Sequence, residues 1–197
     1  MSFSEGLKKE FSTMSLVLMP IAIGINIAGG VFIVALKLPI YLDSIGTLLV
    51  SILVGPWAGA VTGLLANIIW GLTIDPVAFP FSITAFFIGL TGGYLARKGM
   101  FKTVPKTLLS GAIIGLVGAT VSTPIVAYVF GGVTSSGSTF ITAYLLATGK
   151  QFLISVFSSS IISDLGDKLI TALVAYLIAR NLPLRIRSRF AQGQISI

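Results

Sequence analysis

The chain of 197 residues contains no cysteine and no histidine. Those absences exclude disulfides, thiol redox chemistry, c-type haem attachment and metal sites built on imidazole or thiolate. Charge is scarce as well: 10% of the residues are charged, against roughly 25% in a soluble domain, while 55% are hydrophobic. The apolar runs match the ~20 residues that a helix needs to cross ~30 Å of hydrocarbon, so the composition is that of an integral membrane protein. Alternating segments of about ten residues, the signature of barrel strands, are missing. An all-α membrane bundle follows. Nearly every residue falls in an apolar helix or its connector, so residues 1–197 read as a single transmembrane domain with no room for a soluble catalytic one. The opening "MSFSEGLKKEFSTMS" is polar and amphipathic and lacks an A-x-A-like cleavage site, and is expected to be retained, with residues 1–13 as a polar N-terminal segment.

Hydropathy read against Gly, Pro and charge breaks predicts six transmembrane helices. They cover about 14–36, 43–54, 57–74, 78–96, 107–130 and 166–179, with "GPWAG" and "DPVAFP" as turns. Between 131 and 163 the apolar piece "FITAYLLATGKQFLISVFSSSII" is split by Gly149 and Lys150. Two short outer-side helices between the fifth and sixth crossings are expected there in preference to a seventh crossing. With six crossings, ten of the thirteen basic residues fall on one side: Lys8 and Lys9, then Arg97, Lys98, Lys102 and Lys106, then Arg180, Arg185, Arg187 and Arg189. Short cytoplasmic connections carry such an excess, so both termini, including the basic tail 181–197, are expected in the cytoplasm of a cell whose plasma membrane holds the protein. The net charge of +7 is then an orientation signal and not a nucleic-acid footprint.

The remaining charges cluster towards the other side: Lys37, Asp43, Asp75, Lys150, Asp164, Asp167 and Lys168. Polar groups near membrane depth are costly and mark cavities or pathways. Asp43 stands where the first outer loop enters the second helix, where it can be hydrated and face that helix's N-terminal dipole as a cap. Asn67 and Trp70, three apart, share a helix face and supply an amide and an aromatic wall suited to a flat polar ligand, although interhelical bonding and interfacial anchoring explain them equally. "SDLGDKLITALVAYLI" places Asp164, Asp167 and Lys168 at the opening of the last helix, where Ser163 would cap and the acids would face the dipole; Lys168 has no role in that reading and points towards a ligand. "ATGKQ" is not a phosphate loop, because Tyr144 and Gln151 stand where Gly and Ser or Thr are required. The four outer aspartates lie on three separate segments without EF-hand spacing, so no metal site is expected. Ser158, Ser159 and Ser160 have no activating base, and no catalytic residues are expected; small residues of this kind let helices pack closely. Gly24 and Ala28, with Ala35 beyond, form a small-residue strip on the first helix.

"LKLPIYLD", then "GTLLVSILVGPWAGAVTGLLANIIWG", and finally "DLGDKLITALVAYLIARNLP" resemble the substrate-binding S-components of energy-coupling factor (ECF) transporters, and the resemblance covers most of the chain. It implies a non-enzymatic binding subunit that captures a vitamin-like small molecule at an outer-facing pocket. Such a subunit then joins a transmembrane coupling subunit and two cytoplasmic ATPase subunits, and topples in the bilayer to deliver its ligand. No cofactor is implied. By this resemblance "LKLPIYLD" is a gate, Asp43, Trp70, Lys150, Gln151, Asp164 and Lys168 lie near the ligand, and Gly24 and Ala28 form the strip that docks the coupling subunit; Tyr41 and Asn67, on the same outer face, join the substrate-binding candidates. Gly24 stands where the family typically has Ala. The long "GGVTSSGS" segment leaves room for a bulky ligand, which ranks cobalamin first, ahead of riboflavin, pyridoxine and thiamine-precursor pyrimidines. The rival expectations are a membrane sensor domain and a solitary secondary carrier.

Overall fold

The computed structural model describes residues 3–193; residues 1–2 and 194–197 of the expected terminal segments lie outside the described residues. The described residues are all-helical, without a β-strand. A short amphipathic helix α1 (Phe3–Glu10) precedes α2 (Thr13–Leu36), which Ser12 caps by accepting from the Ser15 N–H at 3.4 Å. Lys37, in the left-handed region, ends α2. Then follow α3 (Ile45–Leu53), α4 (Pro56–Thr73), a 3-10 turn (Pro76–Ala78), α5 (Ser82–Arg97) and α6 (Val104–Pro124), which continues as a π-helical turn (Ile125–Val129). The remaining helices are α7 (Ser138–Ala147), α8 (Phe152–Asn181) and the short α9 (Leu184–Arg187).

Three of these expected elements differ: the fourth predicted helix, expected from residue 78, starts only at Ser82 because Pro76–Ala78 form a 3-10 turn that Asp75 caps. The second predicted helix starts two residues later than expected, at Ile45, with Ser44 and not Asp43 at its N-cap position. The predicted second outer helix and last crossing are one helix, α8, of 30 residues. Gly149, at φ 82, breaks the chain before α8, and no comparable breaker follows until Pro183. Gly166 alone costs roughly 1 kcal/mol in a helix interior, too little to interrupt a helix packed along much of its length. Asp164, Asp167 and Lys168 therefore sit in the middle of α8, so the capping roles read for them and for Ser163 do not occur.

α3 is the centre of the bundle. Leu48, Val50, Ile52, Leu53 and Val54 have no exposed surface, and α2, α4, α5 and α8 surround them. Close backbone approach makes this possible. Gly46 of α3 lies against the backbone of Ala22, and Gly111 and Gly115 of α6 lie against the α8 backbone at Lys168 and Asp164. These two glycines, four apart, press the polar middle of α8 into the bundle.

Polarity is distributed inside out. Asn26, Thr47, Ser51, Asp164, Asp167 and Lys168 are buried, whereas Leu16, Val17, Phe32, Leu72, Leu109, Ile162 and Ile170 are exposed on several helices. Two helical stretches among the described residues are long and apolar enough to cross a membrane: Thr13–Leu36, mean hydropathy 2.3, and Val104–Val129, mean hydropathy 1.9. At one end of the bundle Glu10 accepts from the N–H groups of Trp57 (2.8 Å) and Ala58 (3.0 Å) and pairs with Arg97, while the Gln192 N–H donates to the Leu53 carbonyl. The opposite end holds the candidate site.

Candidate functional site

The connector 37–44 does not arch away from the bundle. It runs back along α2, bringing the Leu42 carbonyl against Gly29, seven residues before the end of that helix. Where this non-helical segment packs against the bundle, at Tyr41 to Ser44, its backbone N–H groups need partners. Asp167 supplies them: its Oδ1 accepts from Tyr41 N–H at 3.0 Å and Leu42 N–H at 2.7 Å. Two successive N–H groups on one carboxylate oxygen hold Leu42 at φ 49, in the left-handed region that a branched side chain rarely adopts.

Lys168, fully buried, completes the clamp. Its ammonium donates to Asp43 Oδ1 at 3.3 Å, to Ser44 Oγ at 3.0 Å and to Asp167 Oδ2, and lies 5.8 Å from the centre of the Tyr41 ring. All three protons of the ammonium are thus used. Ser44 Oγ also donates to Asp43 Oδ1 at 2.7 Å. Asp43 is accordingly a partner of Lys168 and Ser44 and makes no capping bond to α3.

Beside this clamp lies a cavity of about 100 Å³. Its lining includes Tyr41, Asp43, Ser44, Asp164 and Lys168 together with Asn67, Trp70, Thr84 and Ile88. Asn67 Nδ2 donates to the Phe81 carbonyl at 3.0 Å, tying α4 to the start of α5. The six-membered ring of Trp70 lies over Gly30, where an added Cβ would overlap it, and its Nε1 is buried without a hydrogen-bond partner. The segment Thr134–Ser136 lines the cavity too, and Ser135 Oγ donates to Asp75 Oδ2 at 2.7 Å. Asp75 Oδ1 in turn caps the 3-10 turn through Val77 N–H at 3.0 Å.

The structure therefore brings Tyr41, Asp43, Asn67, Trp70, Asp164 and Lys168 to one cavity. It leaves Lys150 and Gln151 exposed at the α7–α8 junction, outside the lining. Gly24 and Ala28 lie on the exposed face of α2, where an added Cβ at Gly24 meets nothing, while Asn26 between them turns inward to bond Thr47 Oγ1 at 2.7 Å and Gly46 N–H at 2.7 Å. Internal packing does not account for that strip. Thr84 and Ser122 escape sequence reading, because isolated hydroxyls in apolar helices carry no local signal; Asp167 was legible as polar but not as the anchor of the connector. Among the described residues no three acidic side chains converge as metal ligands, and the Lys168 ammonium lies between Asp43 and Asp167.

The lining combines a few charged and hydroxyl groups with aromatic and aliphatic side chains, a mixture that small-molecule pockets generally share. Comparison of the chain with protein-family models, with curated proteins and with solved structures finds no match.

Proposed function

We propose that this protein is the substrate-capturing S-component of an ECF-type transporter, a plasma-membrane protein that crosses the bilayer six times with both termini in the cytoplasm. The crossings would be α2, the connector with α3, α4, α5, α6 and α8. The observation that carries this reading is a largely apolar cavity bearing Asp43, Asp164 and Lys168, inside a bundle with many large apolar side chains on its outer surface. Buried charge within an apolar-surfaced bundle belongs to a pathway or a ligand site.

Three further features support it. α3 is only about 13 Å long at 1.5 Å per residue, so its crossing relies on the extended connector, and irregular backbone at membrane depth is tolerated where protein buries it or a cavity borders it. Basic residues gather at the end opposite the cavity, consistent with a cavity facing outwards. The exposed Gly24 and Ala28 leave a smooth strip on α2 for a coupling subunit, itself associated with two ATPase subunits.

Among vitamin-like ligands, a space of about 100 Å³ favours single-ring compounds such as pyridoxine or a thiamine-precursor pyrimidine over riboflavin and cobalamin. An engineered cavity of ~150 Å³ accommodates benzene, so even a substituted single ring needs more room than the ligand-free cavity offers, and the larger vitamins need far more. Expression with the coupling and ATPase subunits of the host, followed by affinity purification, tests the assembly. A stoichiometric complex supports the transporter reading. Recovery of the folded chain alone transfers support to a sensor or a solitary carrier.

A further inference from the structure

The hydrogen bonding around the cavity is uneven. Asp43 and Asp75 have their carboxylate partners within the chain, and Asp167 is saturated by two N–H groups and Lys168. Asp164 differs. It is 4% exposed and lines the cavity, yet Ser122 Oγ, at 3.3 Å, is its one hydrogen-bond donor among the described residues. Lys168, one turn further along α8, is turned to Asp43 and Asp167 and forms no ion pair with it. A buried carboxyl left with one long hydrogen bond is costly unless something else supplies donors.

Two more cavity residues are incomplete. Trp70, 7% exposed, has its indole Nε1 without a partner, and Thr84, 5% exposed, has its Oγ1 without one. Both residues line the same cavity as Asp164, with Nε1 and Oγ1 themselves just behind its surface, so that a bound molecule reaches them only as the side chains adjust. An indole N–H only donates, so it requires an acceptor, whereas a carboxylate only accepts and requires donors. Ile88, Val126 and Ala85 add apolar lining to the same cavity. One molecule satisfies the set if it is flat and small, with donors on one edge and an acceptor elsewhere.

We infer that the cavity takes a single-ring nitrogen heterocycle that presents N–H donors, neutral or protonated, to Asp164 and an acceptor to Trp70 Nε1 or Thr84 Oγ1. This rests on the capture role proposed above and narrows its substrate class to amino-substituted or protonatable rings. Ring compounds bearing a carboxylate are disfavoured, because Asp164 and Asp43 would face them.

Calorimetry on the full chain in lipid nanodiscs, with 2-aminopyrimidine and benzoate as probes of equal ring size, tests the inference. 2-Aminopyrimidine is expected to bind at least tenfold more tightly than benzoate, and Asp164→Asn to weaken it at least tenfold. Thr84→Val keeps the inference testable where Asp164→Asn fails to fold. It removes an unpartnered hydroxyl without changing shape, so its ligand-free thermal midpoint should hold or rise while 2-aminopyrimidine binding weakens; a purely structural role would lower the midpoint instead. Preference for benzoate, or unchanged binding of 2-aminopyrimidine in both variants, overturns the inference and leaves the capture role intact for another ligand class. No binding of either probe to a protein with a cooperative thermal transition also overturns it, and the co-purification result then decides separately whether the transporter reading stands.

Discussion

Lys168 shows how a charge is retained in an apolar bundle. Its ammonium is held by Asp43, Asp167 and Ser44, and its removal leaves the Asp43 and Asp167 carboxylates without their shared counter-charge. Breaking a buried pair by deleting one partner costs about 3–5 kcal/mol, so Lys168→Met should abolish or sharply lower the thermal transition of the purified protein. Arginine should not restore it, because the planar guanidinium cannot reproduce three bonds from one nitrogen. A second residue-scale consequence concerns Gly30, against which the Trp70 ring packs. Gly30→Ala should displace that ring, shift the tryptophan emission and weaken ligand binding. The unchanged spectrum of a folded Gly30→Ala protein would remove Trp70 from the cavity wall as described.

Among the elements, α6 and α8 are joined by a surface of glycine. Because Gly111 and Gly115 meet the α8 backbone at the level of Lys168 and Asp164, substitution by leucine should push α8 outwards and release the connector 37–44 from Asp167. Overpacking of this kind costs roughly 1–3 kcal/mol. Gly115→Leu should therefore lower the thermal midpoint and speed amide exchange at Tyr41 and Leu42; protection at those two amides equal to that of the unaltered protein would argue against the coupling. Gly24 on α2 provides the contrast. No neighbour approaches its Cβ position, so Gly24→Leu should leave the fold and ligand binding unaltered and block only assembly with a coupling subunit, as read by co-purification.

For the molecule as a whole, the end remote from the cavity is tied by Glu10. Its carboxylate receives the first N–H groups of α4 and pairs with Arg97, yet burial outweighs these and raises its pKa above the ordinary value of 4.5. The folded state therefore binds the proton more readily than the unfolded chain, so the contribution of Glu10 to stability falls as pH rises from about 4 through its folded pKa. Glu10→Gln removes that dependence. Thermal midpoints of the two proteins should converge, or favour the natural chain, at about pH 4, and move against the natural chain towards pH 7; the opposite slope would mean that the Arg97 pair prevails over burial. Glu10→Ala, which leaves two helix N–H groups without an acceptor, should be destabilised by about 1–3 kcal/mol at either pH.

The sequence by itself determined the helical class, most helix boundaries to within a few residues, and the polar residues Asp43, Asn67, Trp70, Asp164 and Lys168 as one group, because hydropathy, proline and charge act locally. It did not determine which bonds those residues make. "SSSIISDLGDK" reads as a helix start with its caps, since serine and aspartate favour that position, but in the bundle its Ser159, Ser160, Ser163, Asp164, Asp167 and Lys168 are buried within an uninterrupted α8. Lys150 and Gln151 read as site residues by their position in the chain, and only the packing of α7 against α8 leaves them outside the cavity. The tertiary structure alone decided that Lys168 bonds Asp43 and Asp167 and leaves Asp164 facing the cavity. That choice depends on where α6 lets α8 approach and on how far the connector reaches down α2, distances between segments remote in the chain that no local pattern encodes.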